Sequence, residues 1–401
     1  MPHPSRRHLL RGALATGLAS SLPPLARAAS DKLWTVGVIG HTGRGGYGHG
    51  LDTVWLGLPE TKIVAVSDPD EKGRTQAVGR LKLAPADAHA NYREMLAKAK
   101  PELVAVCPRH IDQHHDMILA AVEAGAKGLY VEKPFCRGLV EADAIVAACE
   151  KHGAKLAIAH RNRYHPVLPV VAKLIEDGAI GRWLEIRARG KEDARGGALD
   201  LWVLGSHLLD LCHVFTGKPL ACSATVLQDG RPVVASDVQD GAEGIGPLAG
   251  NELHARFETE KGVPVFFDSI AGAGTREAGF GLQFIGTEGI IDLRIDVEPL
   301  AHFLEGSPFH PVLEPRSWVP VTSAGLGQPE PVGDIRQLVG GHQGPVRDLI
   351  ASVVEDRAPL CSAEDGRTVV EMTFAVFESH RQGGAKVTLP LEKRDSPLAR
   401  L

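Results

Sequence analysis

The sequence predicts an α/β protein of two domains, an N-terminal doubly wound parallel sheet followed by a C-terminal α+β domain with a large open antiparallel sheet. Up to about residue 160, short apolar strands alternate with helical segments, which is typical of a parallel sheet. Later segments such as 183–189 alternate apolar and polar side chains, which is typical of antiparallel strands with one covered face. The 401 residues, 44% hydrophobic and 23% charged, are enough for two cores.

The N-terminal domain, assigned to residues 31–160, begins with an apolar strand at 33–39 that ends in a glycine-rich turn. After the turn, Leu51, Val54, Trp55 and Leu58 have the i, i+3, i+4, i+7 spacing of one helix face. The same kind of pattern predicts strands at 62–67, 103–107, 129–131 and 155–159, and helices at about 113–123 and 142–149.

The C-terminal domain is assigned to residues 161–391. Its predicted helices lie at 167–176, 345–355 and 365–380, and its predicted strands at 183–189, 253–257, 263–267, 282–285, 290–293 and 386–391. Residues 304–342 contain many Pro and Gly residues and are predicted to form a long stretch of loops.

The first 28 residues are predicted to be an export signal of the twin-arginine type. Arg6 and Arg7 precede a weakly apolar stretch at 12–25, and Ala26-Arg27-Ala28 has the pattern of a cleavage site. The alternative is a disordered basic tail. The predicted location is therefore periplasmic or otherwise exported, and the twin-arginine route carries folded proteins, often with a cofactor already bound.

Charge and cysteine content exclude several classes of protein. A net charge of −5 gives no basic surface for nucleic acid, and no apolar run is long enough for membrane insertion after processing. The six cysteines form no Cys-x-x-Cys pair, which argues against zinc ribbons and thioredoxin-like motifs. We expect free buried thiols, although an exported chain could also form disulfides.

The glycine-rich turn and the acid after the next strand predict a Rossmann dinucleotide site. In such a site, backbone N–H groups of the turn and the dipole of the following helix bind a pyrophosphate. Asp68 is placed to accept hydrogen bonds from the ribose hydroxyls of NAD and would repel a 2′-phosphate. The nearby positive charges of Lys72 and Arg74 leave NADP as an alternative cofactor. The spacing Gly-x-x-Gly-x-x-Gly differs from the usual fingerprint. The residues of the turn assigned to the cofactor are Gly40, Thr42, Gly43 and Gly45.

Two further motifs contain groups suited to acid–base chemistry. Lys133, in Glu132-Lys133-Pro134, follows a strand at the edge where ligands bind, and a lysine there can stabilise an alkoxide. His207 and Asp210 share a face of a predicted helix, so the imidazole could accept a proton and the carboxylate could orient it. A structural histidine is the alternative, and a metal role for His207, Asp210 and His213 or for His114-His115 is disfavoured, so no metal is predicted.

The order of these motifs resembles the Gfo/Idh/MocA oxidoreductases, the glucose–fructose oxidoreductase and inositol dehydrogenase family, over residues 33–391. The matching motifs are the glycine-rich turn, Asp68, Cys107-Pro108, His114, Glu132-Lys133-Pro134, Asn162-Arg163, and Gly205-x-His207-x-x-Asp210. The resemblance implies NAD(P), a small carbohydrate substrate and a homo-oligomer formed through the antiparallel sheet. It also implies that Lys133 and His207 are catalytic. The same resemblance adds Pro108, His114, Glu132 and Lys133 to the cofactor site, and Arg163 and Trp202 to the substrate site.

One departure from the family pattern bears on the reaction. The family commonly has Asp four residues before the catalytic His, where this chain has Val203, so Asp200 and Asp210 are candidate substitutes. The first hypothesis is an NAD(P)-dependent oxidoreductase acting on a sugar, cyclitol or sugar derivative, with tightly bound cofactor. The second is redox-neutral glycoside cleavage through transient oxidation and elimination. The third is a non-catalytic sugar- or nucleotide-binding protein.

Overall fold

Six parallel strands build the sheet of the N-terminal half. The structure, a computed structural model, describes residues 32–273, 280–312 and 314–401, so the predicted signal at 1–28 lies outside the described residues. The strand order 3-2-1-4-5-6 is that of a Rossmann fold, which confirms the predicted fold of this half. In spatial order the strands are β3 (Ala88–His89), β2 (Thr61–Ser67), β1 (Trp34–Ile39), β4 (Leu103–Val106), β5 (Gly128–Val131) and β6 (Lys155–Ile158).

Four α-helices connect these strands, and the strand order reverses between β1 and β4. The helices are α1 (Glu71–Leu81), α2 (Tyr92–Ala99), α3 (His114–Glu123) and α4 (Leu139–His152). At such a reversal the connections diverge to opposite faces of the sheet, which leaves a crevice at the carboxyl ends of the strands.

The predicted helix after the glycine-rich turn was wrong in type and length. Only a short 3₁₀ helix, Val54–Gly57, is present, between Gly50 and Pro59. Leu51, Val54, Trp55 and Leu58 are nevertheless buried. The spacing identified the buried face, but spacings of three and four residues also suit a 3₁₀ turn, and the run of glycines opposes helix propagation.

The second half forms one large sheet of eleven strands with helices on one face. All its pairings are antiparallel except that of β7 with β13, so the predicted antiparallel architecture is confirmed. The strands are β7 (Trp183–Arg189), β8 (Pro219–Gln228), β9 (Arg231–Pro232), β12 (Glu252–Thr259), β13 (Val265–Ile270), β14 (Gly281–Gly286), β15 (Gly289–Arg294), β16 (Ala301–Glu305), β17 (Val319–Thr322), β18 (Gly325–Leu326) and β19 (Val387–Thr388). A separate hairpin pairs β10 (Gln239–Gly241) with β11 (Gly246–Leu248).

Alternation along the strands determines which face is covered. On β7, Ile186 and Ala188 are buried, whereas Arg187 between them is exposed. Phe284 on β14 packs edge-to-face against Phe215, with ring centroids 4.6 Å apart. The helices of this half are α5 (Leu168–Glu176), α6 (Ala198–Val203), α7 (Gly205–Thr216), α8 (Ile335–Val339), α9 (Gln343–Glu355) and α10 (Ala363–Arg381).

Two predictions for the second half need correction. The stretch 304–342 is not only loops, because β17, β18 and α8 lie in it; their few residues are too short to give a periodic signal. The final strand is shorter than predicted, since only Val387–Thr388 pairs with β8.

All six cysteines are free and buried, as expected. Among the described residues, no helix has the length and apolar character needed to cross a membrane.

The two halves are joined beside the edge strand β6. The N–H of Ile158 donates to the carbonyl of Cys361 at 3.0 Å, and Ala157 forms a bridge with Ser362. Val346 and Leu349 of α9 belong to the same buried cluster as β1 and β4. These contacts bring the start of α10 close to the carboxyl ends of the parallel strands.

Candidate active site

Predicted site residues follow four of the parallel strands and therefore lie at one edge of the sheet. Gly40 follows β1, Asp68 follows β2, Pro108 comes shortly after β4 and Glu132 follows β5. Lys133, His207 and Glu132 are all buried, with exposed fractions of 7%, 7% and 1%. The edge is thus lined by polar groups that are largely removed from water.

The glycine-rich turn depends on backbone conformations that other residues rarely adopt. Gly43, Gly45 and Gly46 all have positive φ. A Cβ at Gly45 would overlap the backbone of Arg109, whereas at Gly43 and Gly46 the space is open. The turn is closed by hydrogen bonds between the backbones of His41 and Gly46. It therefore leaves room for a group to approach the main chain.

Asp68 is fully buried and its carboxylate faces this turn. It accepts hydrogen bonds from the backbone N–H of Thr42 at 3.1 Å, from its hydroxyl at 2.8 Å and from the N–H of Asp70 at 3.0 Å. The predicted ribose acceptor is thus tied to the glycine-rich turn. A ribose bound here would have to share or replace the Thr42 contact.

Tyr47 is a residue of the turn that sequence reasoning missed. A Cβ at Gly40 would overlap its ring, and Arg80 places its guanidinium 4.5 Å from the ring centroid. Burial and the nearby carboxylate of Asp68 raise the pKa of the Tyr47 hydroxyl. Gly40 is therefore required for close packing of Tyr47.

Glu132 connects the segment that follows the glycine-rich turn to the end of β5 through hydrogen bonds. Its carboxylate accepts from the backbone and ring nitrogens of His49, each at 3.0 Å, and from the N–H of Lys133 at 3.0 Å. Burial would raise the pKa of this carboxyl, but the hydrogen bond from His49 and the charge of Lys133 outweigh it and lower the pKa to about 2. Glu132 therefore stays ionised and acts on the position of the turn.

Lys133 is held by the residue at which the chain departs from the family pattern. Its Nζ donates to the main-chain carbonyl of Val203 at 3.2 Å. Burial lowers the pKa of Lys133, and the carboxylate of Glu132 opposes this. The Val203 side chain cannot ionise, but its carbonyl supplies an oxygen contact to the ammonium.

His207 is buried near Lys133, and its Nδ1 has no hydrogen-bond partner among the described residues. Burial lowers its pKa well below the usual value, and the positive charge of Lys133 lowers it further. The ring packs edge-on against His160, which follows β6, with centroids 5.3 Å apart. His160 was not predicted as a site residue, although its place after a parallel strand was a signal for it.

Asp210 does not bond to His207 in this structure. Its Oδ1 accepts from Arg163 at 2.7 Å and lies 3.7 Å from the ring Nδ1 of His160. Arg163 also binds Asp365 at 2.9 Å and is mostly buried. The predicted substrate residue Arg163 is thus engaged by two carboxylates, and Asp210 can act on His207 only through His160.

Three other predicted site residues lie in separate surroundings. Asp200 accepts from Ser269 at 2.7 Å and from the N–H of Glu192 at 3.1 Å, and burial raises its pKa. The ring of His114 bridges the carbonyls of Pro108 and Phe135 at 2.7 and 3.1 Å. Trp202 packs on Phe374 and lines a cavity of about 260 Å³. The assignment of all these residues to a site stays a prediction.

Two family models match most of the chain. One, described as an oxidoreductase family with an NAD-binding Rossmann fold, matches residues 34–160. The other, described as the C-terminal alpha/beta domain of an oxidoreductase family, matches residues 172–389. The two matches correspond to the parallel and the mostly antiparallel sheet.

Curated relatives are similar at low identity. The chain is 26% identical to D-apiose dehydrogenase of Paraburkholderia graminis over 194 residues, which are 46% of this chain and 51% of that protein. It is 24% identical to levoglucosan dehydrogenase of Pseudarthrobacter phenanthrenivorans over 361 residues, covering 80% of this chain and 88% of that protein. The first similarity therefore spans only about half of the relative.

Solved structures share the fold. A levoglucosan dehydrogenase in complex with NADH and levoglucosan has a TM-score of 0.68 at 20% identity, covering 90% of this chain and all of that one. An oxidoreductase from Agrobacterium radiobacter, in complex with NAD+, L-tartaric acid and magnesium, has a TM-score of 0.65 at 16% identity, with 88% and 98% covered. Both contain a nicotinamide nucleotide on the same architecture.

Proposed function

We propose that this chain, which belongs to the Gfo/Idh/MocA oxidoreductase family, catalyses the NAD-dependent oxidation of a hydroxyl group on a sugar, cyclitol or sugar derivative. One observation carries the proposal. The buried Lys133, held by the Val203 carbonyl, lies near the buried His207 at the carboxyl edge of the NAD-binding sheet. Similarity to levoglucosan and D-apiose dehydrogenases supports the substrate class.

The residues at the sheet edge fit a dinucleotide. The open positions at Gly43 and Gly46 would let phosphate oxygens approach the backbone of the turn, and Asp68 offers a buried carboxylate for a ribose. These glycines have positive φ values, and a residue with a Cβ would adopt them only with backbone strain. When bound, the nicotinamide accepts a hydride from the substrate carbon.

Lys133 would bind and polarise the reacting hydroxyl. An ammonium has three N–H donors, and one of them is used by the Val203 carbonyl. The others can donate to the substrate oxygen and stabilise the negative charge that develops as its proton leaves. Because Lys133 is buried, this interaction takes place in a medium of low dielectric constant, where it is stronger than in water.

His207 would accept the proton of the same hydroxyl. Burial and the charge of Lys133 keep the pKa of the ring low, so the neutral imidazole, which is the basic form, is present at neutral pH. The edge of the His160 ring restricts how His207 can turn. A neutral imidazole has the protonation state that general base catalysis requires.

The experiment is a substrate panel with NAD+, in which reduced nicotinamide is followed by absorbance and products are identified by mass. Levoglucosan and D-apiose represent the relatives, and scyllo-inositol represents the cyclitols. We expect one class of sugar to give saturable nucleotide reduction and a product two hydrogens lighter. Cleavage of a glycoside without net reduction would favour the redox-neutral alternative, and sugar binding without any product would favour the non-catalytic one.

We also propose that the chain is exported with its nucleotide bound. Arg6-Arg7, the weakly apolar stretch 12–25 and Ala26-Arg27-Ala28 support a twin-arginine signal. A periplasmic enzyme has no ready supply of NAD, so a tightly bound cofactor would suit it. Replacing Arg6 and Arg7 by Lys should leave uncleaved protein in the cytoplasm. Wild-type periplasmic protein that releases no nucleotide on denaturation would contradict the bound-cofactor part.

The uncovered face of the large sheet is the proposed surface for a homo-oligomer. Arg187 and Arg256 are exposed on it and Glu258 is half-buried, and Arg187 stacks over Phe266 at 4.1 Å. A self-complementary pattern of both charges suits a symmetric contact. Sedimentation velocity should give a mass that is a multiple of the chain, and a monomer at micromolar concentration would contradict this surface.

A further inference from the structure

A buried cluster beside the candidate active site contains three groups that commonly bind metals. The ring Nδ1 of His160, Oδ1 of Asp210 and Sγ of Cys361 all lie within 4.8 Å of one another. The sulfur is 3.7 Å from the His160 nitrogen and 3.6 Å from the Asp210 oxygen, and that nitrogen and oxygen are 3.7 Å apart. The exposed fractions of the three residues are 2%, 1% and 0%.

These separations are close to the edges of a tetrahedral zinc site. Zinc binds thiolate sulfur at about 2.3 Å, imidazole nitrogen at about 2.0–2.1 Å and carboxylate oxygen at about 2.0–2.2 Å. Tetrahedral angles then place neighbouring ligand atoms about 3.3–3.6 Å apart. The three observed edges exceed that range by a few tenths of an ångström or less, so small side-chain rotations would suffice.

The backbone holds the ligands in place. Cys361 accepts a main-chain hydrogen bond from Ile158 at 3.0 Å, and its N–H donates to the hydroxyl of Tyr164 at 3.2 Å. His160 lies shortly after the end of β6, and Asp210 lies within α7. The three ligands therefore come from three well separated parts of the chain, which meet where the two halves join.

One polar atom of the cluster is unpartnered, which points to a missing ligand. Among the described residues, Oδ2 of Asp210 is buried without a hydrogen-bond partner. Arg163 binds Oδ1 of Asp210 and also Asp365, and Asp365 lies in addition 3.3 Å from Nε2 of His213. A divalent cation with a Cys361 thiolate would add one net positive charge beside these carboxylates.

We propose that His160, Asp210 and Cys361 bind a divalent transition metal ion, with zinc the best match to one thiolate, one imidazole and one carboxylate. A water molecule or the second oxygen of Asp210 completes the coordination. The site differs from the His207, Asp210 and His213 set considered from sequence spacing, because only Asp210 is shared. Without metal, the Cys361 thiol donates to Asp210 instead.

The metal has a positioning role. Binding at Nδ1 fixes the His160 ring, whose edge packs against His207. It also ties the start of α10 to α7 and to the end of β6. Neither Lys133 nor His207 is among the three proposed ligands, so the proposed hydride transfer does not use the ion.

The first test measures metal in the untagged full-length chain, grown with added zinc and purified without chelators. Elemental analysis should give about one zinc ion per chain, as expected for a closed three-residue protein site. Protein loaded with Co2+ should show a thiolate-to-cobalt charge-transfer band and the intense visible bands of tetrahedral cobalt. Wild-type protein that takes up neither ion would overturn the proposal without any variant being needed.

Matched variants locate the site. Cys361→Ser and His160→Gln should each lower metal content at least about 10-fold, the scale of a lost ligand or stronger, and Cys361→Ser should abolish the charge-transfer band. Cys222→Ser and His213→Gln, which change a buried cysteine and a nearby histidine outside the cluster, should retain both. Circular dichroism checks that each variant is folded. Unchanged metal content in folded Cys361→Ser and His160→Gln would assign the metal elsewhere and overturn the proposal.

Discussion

Burial lowers the pKa of both Lys133 and His207, and the pKa determines the protonation state in which each side chain would act. We expect Lys133→Ala and His207→Ala each to lower turnover by at least about 100-fold, the size of a lost alkoxide donor or general base. Because the neutral His207 ring is the active form, kcat/KM of the wild type should not fall on the acid side until well below pH 6.5. Steady-state kinetics across pH checks both expectations.

Two controls accompany these variants. Nucleotide binding should survive in His207→Ala, because His207 lies on α7 and not on the glycine-rich turn. Near-normal turnover in either folded variant would remove that residue from the mechanism. An acid limb near the ordinary histidine value would show that His207 is not the buried neutral base described here.

Asp68 provides a second prediction about a single residue. Its buried carboxylate should favour NAD over NADP, because a 2′-phosphate would meet a like charge. Asp68→Ala should reduce that preference at least about 10-fold, the effect of about 1.4 kcal/mol. Titration of the apoprotein with both nucleotides measures this. A wild type that prefers NADP, or an unchanged ratio in the variant, would contradict the role of Asp68.

The sequence located single residues well where they directly follow a parallel strand. Asp68 and Lys133 lie at the edge where the pattern placed them, because all strand ends of such a sheet share one edge. Asp200 could not be placed in this way, because its environment depends on Ser269, far along the chain. Cys361 and His160 are 201 positions apart, and no local pattern shows that they meet.

At the scale of elements, the glycine-rich turn is the segment most sensitive to substitution. At Gly48, with φ of +65°, a Cβ would collide with Glu132 and the Cys107 carbonyl. At Gly46, with φ of +60°, nothing lies within 4 Å. Both alanine variants carry the strain of positive φ, about 1 kcal/mol. Only Gly48→Ala should also displace the turn.

We therefore expect Gly48→Ala to weaken nucleotide binding at least about 10-fold more than Gly46→Ala, a difference of about 1.4 kcal/mol. Calorimetric titration with NAD on the two variants measures the difference directly. Equal losses would mean that backbone strain alone matters and that the Glu132 contact does not position the turn.

Long periodic elements were predictable, whereas short or irregular ones were not. The helix predicted at 365–380 matches α10, Ala363–Arg381, because its apolar pattern runs over several turns. The 3₁₀ turn at Val54–Gly57 was mistaken for a helix, since its buried residues repeat at spacings that suit both. The pairing of β7 with β13 is parallel, and this depends on the path of the chain between them.

For the molecule as a whole, one buried histidine predicts loss of stability in acid. His342 is buried, and its Nδ1 lies 2.6 Å from the Tyr130 hydroxyl. Burial lowers its pKa from 6.5 to about 4, against the opposing effect of Glu132. Below pH 6.5 the unfolded chain binds a proton that the folded chain does not, so stability falls as the pH drops towards 4.

The loss of stability reaches about 3 kcal/mol at the low-pH end of this range, since each unit of pKa shift corresponds to about 1.4 kcal/mol. His342→Gln keeps an amide in place of the ring and removes the titration. Urea unfolding of both proteins at neutral pH and near pH 4 should show a steeper acid loss in the wild type. Parallel pH dependence in the two proteins would show that His342 is already charged in the folded state.

In the proposed reaction, the two halves together form a site that transfers a hydride from a sugar carbon to NAD. The most direct measurement uses the sugar identified from the panel, deuterated at every carbon, with the full chain and NAD+. We expect the nucleotide recovered after a single turnover to be one mass unit heavier than that from unlabelled sugar, with the deuterium on the nicotinamide ring. Conversion of the sugar with an unlabelled nucleotide would contradict it.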